Sequence, residues 1–340
     1  MAKQLRSVGI AGLGMYVPER VLTNRDLETL VDTTDDWIVT RTGIRERRIA
    51  GEHEATSDLA FPAAREALQR AGVAPDGGDL DLIIVATCTG DMQSFPATAS
   101  LLQERLGTRR AAAFDVAAVC SGFVYAMEVG AQFIATGAYE NVLVVGAETM
   151  SRVLDWSDRS TCILFGDGAG AVVLRACPEG EGILGSVLGS DGSGAALLNV
   201  PAGGSRRPLT PALIEQKQQY LMMKGREVFR FAVEIMGEAA VQALDKAGLT
   251  PGDVDLFIPH QANTRIIDAA AKRLGLAPDK VFVNVDRYGN TSAASIPMAL
   301  YEAWRDGRIR PGDVVVTVGF GAGLSWGASV IRWGDVTWTP

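Results

Sequence analysis

Histidine is almost missing from this chain: two residues in 340. Cysteine is nearly as scarce, with four residues at positions 88, 120, 162 and 177. None forms a CxxC pair, and none gathers with the histidines. Zinc sites and dithiol redox sites need such spacing, so the pattern excludes a metal or redox centre, and a disulfide framework is not expected. Apolar runs stay well short of the roughly 20 residues that cross a bilayer. Basic residues are in deficit: Lys and Arg number 32 against 40 Asp and Glu, a net charge of -8. Neutralising phosphates calls for a basic excess, so nucleic acid is excluded as the main partner. The opening stretch MAKQLRSVGIAGLGMYVPER begins like a signal peptide, but Pro18, Glu19 and Arg20 stand where a cleavage region belongs. The expectation is a cytoplasmic protein without membrane association.

What remains is a chain with 47% hydrophobic and 21% charged residues, the balance of a soluble globular protein. DLDLIIVATCTG and ENVLVVGAET read as buried strands, and ATSDLAFPAAREALQRAG reads as a helix ending at glycine. Strands alternating with helices predict a sheet covered by helices, an α/β class. The pattern occurs twice. ALQRAGVAPDGGDLDLII (67–84) parallels ALDKAGLTPGDVDLFI (243–258), and RLG at 105–107 parallels RLG at 273–275. AFDV ahead of Cys120 parallels VFVNV, and ENVLVVGAE (140–148) parallels GDVVVTVGFG (312–321). Matches in the same order at an offset of roughly 170 residues predict two similar halves, 1–175 and 176–340. The stretch 185–235 has no partner in the first half and is expected to be an insertion that shapes a pocket.

The repeat gives Cys120 company. Within FDVAAVCSGFVYAM it closes a strand and opens a helix. Allowing one residue of slack, its counterpart is Asn290 in VDRYGNTSAAS, and His260 in DLFIPHQANTRI ends the second half's buried strand. Sites gather at the carboxyl ends of strands in such folds, so the three residues are expected to meet in one pocket. Each has a plainer reading: a cysteine that packs as a small hydrophobe, a structural histidine, a turn asparagine after glycine. Together they make chemical sense. A helix N-terminus favours a thiolate, histidine moves protons or donates to an oxyanion, and asparagine donates without charge. That set suits acyl transfer to sulfur followed by stabilisation of an enolate.

TTDDWIVTRTGIRERR, DVAAVCSGF, DRSTCILFGDGAGA, IPHQANTRI, GNTSAASIP and GFGAGLSWG, in this order over essentially the whole chain, resemble the β-ketoacyl-[acyl carrier protein] synthase III family of condensing enzymes. The resemblance implies a thiolase-like five-layered αβαβα fold built from two pseudo-symmetric halves, usually as a homodimer. It implies an acyltransferase without a cofactor, whose substrate is a coenzyme A thioester. A short acyl group, with acetyl favoured, passes from acyl-CoA to Cys120. Malonyl-acyl carrier protein then loses carbon dioxide and its carbanion attacks the acyl-enzyme, initiating fatty acid synthesis.

In the same implied scheme His260 and Asn290 stabilise the enolate. The backbone N–H groups of Cys120 and Ala322 form the oxyanion hole, Ala322 standing where relatives often carry glycine. Trp37, Arg41, Arg159 and Asn263 are implied contacts of coenzyme A. Gln261, Ala262, Asn263, Thr264, Arg265, Arg230, Lys272 and Arg273 are implied contacts of the acidic carrier protein. Phe95 is implied to reach across a dimer and close the partner's acyl pocket, although branched and longer primers stay open.

Two other readings stand beside this one. A related condensing enzyme of a polyketide or secondary pathway would keep the same three residues, and a non-catalytic binding relative would commonly have lost the cysteine. GDGAGA (166–171) loosely fits a dinucleotide fingerprint but leads into a strand rather than a helix, which excludes it. Cys88, Cys162 and Cys177 read as core fillers, and His53 as a surface residue.

Overall fold

A computed structural model describes residues 5–74 and 78–336. The proline turn of the first repeat, at 75–77, lies outside them. In the first half, β1 (Ser7–Tyr16), β2 (Leu82–Ala86), β3 (Ala112–Val116), β4 (Asn141–Thr149) and β5 (Asp167–Cys177) form one sheet in the order β1-β5-β4-β2-β3. In the second half, β6 (Gly182–Ser190), β7 (Leu256–Pro259), β8 (Val314–Gly321) and β9 (Ser325–Arg332) form another, in the order β7-β8-β9-β6.

Four strands of the first sheet recur in the second with the same order and directions. β2 runs parallel to β4 and antiparallel to none of its neighbours, while β4–β5 and β5–β1 are antiparallel. Likewise β7 runs parallel to β8, and β8–β9 and β9–β6 are antiparallel. The counterpart of β3 is weaker than expected: VFVNV contributes a single parallel bridge, Val281 to Phe257, rather than a strand. GDGAGA lies where β5 begins, as its strand context required.

Seven helices complete the layers: α1 (Asp35–Thr42), α2 (Thr56–Arg70), α3 (Thr98–Leu106), α4 (Gly122–Ala135), α5 (Gly225–Ala247), α6 (Thr264–Arg273) and α7 (Ser295–Arg305). Helices α2 and α3 cover the outer face of the first sheet through an alanine-rich stripe, Ala60, Ala63, Ala64 and Ala67. Helices α5 and α6 cover the outer face of the second. Between the sheets lie α4 and α7, whose side chains share one core with strands of both halves. This placement explains their composition. A helix buried on every side must be apolar all round, and α7 buries every residue from Ser295 to Trp304. Its one buried carboxylate, Glu302, accepts from Asn284, Arg287 and Tyr288. The five layers are those of the thiolase fold.

The excursion in the second half is narrower than expected. Residues up to Ser190 belong to β6, the counterpart of β1, and from Gly225 the chain is in α5, the counterpart of α2. Only 191–224 lie between them, and they fold as short turns, the five-residue helix Pro211–Glu215 and a two-stranded ribbon, Leu198–Asn199 with Met222–Met223. The first half carries its own excursion at the same place, between β1 and α2. Sequence comparison missed this because loops share position without sharing residues. No helix among the described residues is long and apolar enough to cross a membrane.

Phe123, fully buried on α4, packs in the shared core. Phe123→Ala is expected to destabilise the fold by about 3–5 kcal/mol in chemical denaturation. Leu209→Ala, at an exposed position of the excursion, is expected to stay within about 0.5 kcal/mol.

Candidate active site

Three elements deliver the site. After β3 the chain makes a tight 3-10 turn, Val119–Ser121, and enters α4 at Gly122. Val119 is held at φ 48, a region that a β-branched residue rarely adopts and that costs about 1–3 kcal/mol. Ser121 anchors the turn by donating to the Ala118 carbonyl at 2.8 Å. The second half repeats this turn at Ser292–Ala294, with Ser292 at φ 49, before α7. The repeat therefore pairs Val119 with Ser292 and Cys120 with Ala293, not with Asn290, which precedes the turn. Against the first turn lies the end of β8. A Cβ on Gly321 would stand 2.8 Å from the Cys120 nitrogen, so only glycine lets that strand approach the sulfur. Ala322 is not among the residues with positive φ, and its backbone is ordinary for alanine.

Cys120 is buried. Burial pushes its thiol up to about 12, Glu148 adds to the rise, and the Ser292 hydroxyl pulls the other way. The N-terminus of α4 opposes burial with up to about 2 kcal/mol, less than that displacement. The helix N-terminus was expected to favour a thiolate; here burial outweighs it and shifts the thiol upward rather than downward.

His260 follows β7, its N–H donating to the Val318 carbonyl at 2.7 Å. Desolvation lowers its pKa to about 3, so the imidazole is neutral. The Ser295 hydroxyl lies 2.6 Å from Nδ1 and receives the Gln261 N–H at 3.3 Å. A hydroxyl that gives its hydrogen to Nδ1 places the ring hydrogen on Nε2, where it is a donor. Phe320 meets the imidazole edge-on, ring centres 5.6 Å apart.

Asn290 is fixed in the same manner. Gly289, at φ 63, turns the chain against the Leu164 carbonyl, and Asn290 donates its N–H to that carbonyl at 2.8 Å. Its Oδ1 accepts the Ser292 N–H at 2.8 Å, which leaves Nδ2 as the free donor. Cys120, His260 and Asn290 line one cavity, together with Phe165, Phe229, Phe320 and Gly321. On its other side Cys120 opens onto an apolar chamber of about 130 Å³ walled by Cys88, Met150, Val153, Leu198, Leu221 and Ala322. Larger clefts exist, one of about 510 Å³ between Asp79 and Asn141, but they contain no thiol. Among the described residues no cluster of three or more His, Cys, Asp or Glu could hold a metal ion.

Residues 114–192 match the family described as 3-oxoacyl-[acyl-carrier-protein] synthase III, and residues 244–333 match its C-terminal part. The β-ketoacyl-[acyl-carrier-protein] synthase III of Symbiobacterium thermophilum is 61% identical over 97% of this chain and 99% of its own. The chain belongs to the β-ketoacyl-[acyl-carrier-protein] synthase III family. The crystal structure of the synthase III from Aquifex aeolicus VF5 superposes with a TM-score of 0.88 at 48% identity, covering 96% of this chain and all of the other. A priming β-ketosynthase from the R1128 polyketide pathway superposes at 0.90 with 39% identity, covering 98% of each chain.

The remaining residues expected of a synthase III divide into several groups. Trp37 is half-buried on α1, with the guanidinium of Arg41 4.6 Å and that of Arg159 5.1 Å from its ring centre. Arg159 is also held by Asp32, 3.6 Å away. Asn263 lines the cavity but caps α6, accepting from the Arg265 N–H at 2.9 Å and donating to the Arg41 carbonyl at 3.0 Å. One amide hydrogen and one lone pair remain for a ligand.

Arg230, Arg265, Lys272 and Arg273 are exposed on α5 and α6. Arg265 lies 5.3 Å over Phe229, and Arg273 donates to the Glu234 carbonyl. Gln261 does not join them. It is buried, bonded to the carbonyls of Pro259 and Phe282 and to the Asn284 N–H, so it cannot meet a partner at the surface. Ala262 is buried too and lines the cavity, and Thr264, half-buried, packs on Gly43. Phe95 is 85% exposed.

Sequence reading missed Glu148, Ser292 and Ser295, which all sit behind the three cavity residues. Cys88 was misread. It is an exposed residue that walls the chamber, and desolvation with the neighbouring Glu148 charge holds its thiol well above the usual range. Cys162 is buried and Cys177 half-buried, and His53 is exposed as expected.

Neutral His260 makes a pH prediction. Its folded pKa lies below the unfolded value, so its burial supports folding above about pH 6.5 and that support is lost as pH falls toward about 3. Denaturation midpoints measured down this range should decline less in His260→Asn than in the parent chain. An equal decline would contradict a neutral, buried imidazole.

Proposed function

We propose that this synthase III transfers a short acyl group from coenzyme A to Cys120 and condenses it with malonyl-acyl carrier protein. The observation that carries the reading is that Cys120, His260 and Asn290 line one cavity at the head of α4. Attack of sulfur on the thioester carbonyl creates an oxyanion, which the backbone N–H groups of Cys120 and Ala322 would receive. Malonyl thioester then enters, and its carbonyl oxygen lies between His260 and Asn290. Carbon dioxide departs, leaving an enolate that two neutral donors stabilise in a low-dielectric site. Its carbon attacks the acyl-cysteine, and the β-ketoacyl product leaves on the carrier with the thiol regenerated. A charged imidazole is not needed, which agrees with its low pKa.

The small apolar chamber beside Cys120 suits a short primer such as acetyl. Trp37, Arg41 and Arg159 offer an aromatic face and two cations to the nucleotide of coenzyme A, and Arg159 must swing from Asp32 to admit it. Four exposed cations on α5 and α6 offer a local positive face to an acidic carrier protein, despite the net charge of -8. The chain is read as a homodimer. β3 is an edge strand with one side unpaired, Phe95 stands exposed nearby in sequence, and covering such an edge relieves its unpaired backbone groups. The likeness to a polyketide priming synthase supports a second reading, in which the same chemistry serves another carrier protein.

Incubation with acetyl-CoA, digestion and mass spectrometry should find the acyl group on the peptide containing Cys120. His260→Ala and Asn290→Ala should keep this step within about tenfold and lower condensation by about 10²–10³-fold, the effect of removing one oxyanion donor. Acylation of a peptide lacking Cys120 would refute the assignment. Arg265→Glu should weaken use of malonyl-acyl carrier protein while leaving acylation by acetyl-CoA near the parent rate. Equal losses in both half-reactions would remove Arg265 from the docking face.

A further inference from the structure

Helix α7 holds the segment that follows β7 at two places. At its first residue the Ser295 hydroxyl lies 2.6 Å from His260 Nδ1 and receives the Gln261 N–H at 3.3 Å. Two turns further on, Glu302 accepts from the side-chain amide of Asn284 at 2.8 Å, and the Asn284 N–H donates to Gln261 Oε1 at 2.9 Å. The Gln261 amide hydrogens go to the carbonyls of Pro259 and Phe282. The His260 main chain is held as well, by the Val318 carbonyl at 2.7 Å and by the Ala262 N–H at 3.0 Å. The backbone beside the imidazole is therefore fixed by bonds that do not use the Ser295 hydrogen. What that hydrogen adds is a bond to the ring.

The direction of this bond decides what the ring presents to the cavity. Desolvation keeps the imidazole neutral, so one ring nitrogen carries a hydrogen and the other a lone pair. Ser295 is buried, and among the described residues its oxygen is bonded to Nδ1 and to the Gln261 N–H. The Gln261 N–H is a donor, which leaves Nδ1 as the partner able to accept the hydroxyl hydrogen. With the ring hydrogen on Nδ1, the hydroxyl hydrogen would be buried without an acceptor, an arrangement that folded proteins avoid. The Ser295 hydrogen therefore goes to Nδ1 and the ring hydrogen to Nε2. His260 lines the cavity beside Cys120 and Asn290, and Nε2 is the ring nitrogen left for a substrate.

We propose that Ser295 is a positioning residue for the condensation step, setting the His260 tautomer so that a hydrogen rather than a lone pair meets the malonyl thioester oxygen. The proposal rests on the reading of this cavity as the site of condensation. With the tautomer reversed, a lone pair would face an oxygen that gains negative charge as carbon dioxide leaves, and stabilisation would become repulsion. Acyl transfer to Cys120 places its oxyanion on backbone N–H groups instead, so Ser295 bears on the second half-reaction and not the first. Ser295 is not among the residues that line the cavity; it acts through the imidazole, and its hydrogen stays on its oxygen throughout.

The chain has two histidines, so isotope labelling of histidine nitrogens gives ring signals from His53 and His260 alone, and His53→Asn identifies those of the exposed one. Nuclear magnetic resonance of the full chain should find the His260 hydrogen on Nε2. In Ser295→Ala it should divide between the two nitrogens. Acetyl transfer from acetyl-CoA to Cys120, followed by intact mass, should stay within about threefold of the parent, while condensation of the acetylated chain with malonyl-acyl carrier protein slows by about 10–10²-fold, less than the outright loss of an oxyanion donor. Ser295→Cys fills the space with a weak donor and should behave as Ser295→Ala does. A ring hydrogen on Nδ1 in the parent would overturn the proposal. So would equal losses in both half-reactions, undiminished condensation in Ser295→Ala, or parent-like condensation in Ser295→Cys, which would assign the deficit to packing. If Ser295→Ala fails to fold, Ser295→Cys decides alone. If the parent is not acylated at Cys120, the underlying reading fails, and the spectra, which need no substrate, still decide where the ring hydrogen lies.

Discussion

The backbone of Val119 is held in a conformation that its own side chain opposes, and the site depends on that hold. Two sheets press α4 and α7 between them, so the first turn of each central helix cannot relax without separating the halves. The same unfavourable φ recurs at Ser292, at the matching place in the second half. Strain of this kind persists only where packing over-determines it. Here it sets Cys120 against Gly321 at the end of β8, and it carries the Ser292 N–H to the amide oxygen of Asn290.

Burial then shapes the electrostatics. Phe165, Phe229 and Phe320 line the cavity, and desolvation shifts the titration of the thiol and the imidazole. The thiol moves up and the imidazole down. In the proposed reaction, charge appears only when substrate brings it, on a carbonyl oxygen. Ser295 holds the His260 ring at Nδ1, and the Ser292 N–H takes the Asn290 amide oxygen, so that amide presents hydrogen rather than a lone pair. Preorganised donors of this sort stabilise a developing anion without reorganising, which is why a condensing enzyme functions with so few histidines.

Much of this was legible in the sequence. Strands such as LIIVA and VLVVGA are continuous apolar runs because helices cover both faces of their sheets, and the duplication was visible as recurring words. Cys120, His260 and Asn290 were recognisable because each follows a strand and begins a small-residue segment. The errors share one cause. Gln261 sits in a surface-looking HQAN motif but turns inward to satisfy three backbone groups. Cys88 looked like filler because its neighbours are apolar, yet it walls the chamber. Asn290 was aligned with Cys120 because both follow strands, while the φ angles show that Ser292 and Val119 are the equivalent positions.

By itself, the order of residues determined the alternation of strands and helices, the duplication, and the three groups expected to meet, since these follow from periodicity and recurring motifs; the five layers were implied by the family resemblance. Only the tertiary structure decided that burial raises the Cys120 thiol and lowers the His260 imidazole, that Ser295 lies against Nδ1, and that Glu148 is bonded to Ser292. Those properties depend on burial and on hydrogen bonds across as many as 144 positions of chain. Desolvation and distance are properties of the packed interior, and no local pattern of residues encodes them.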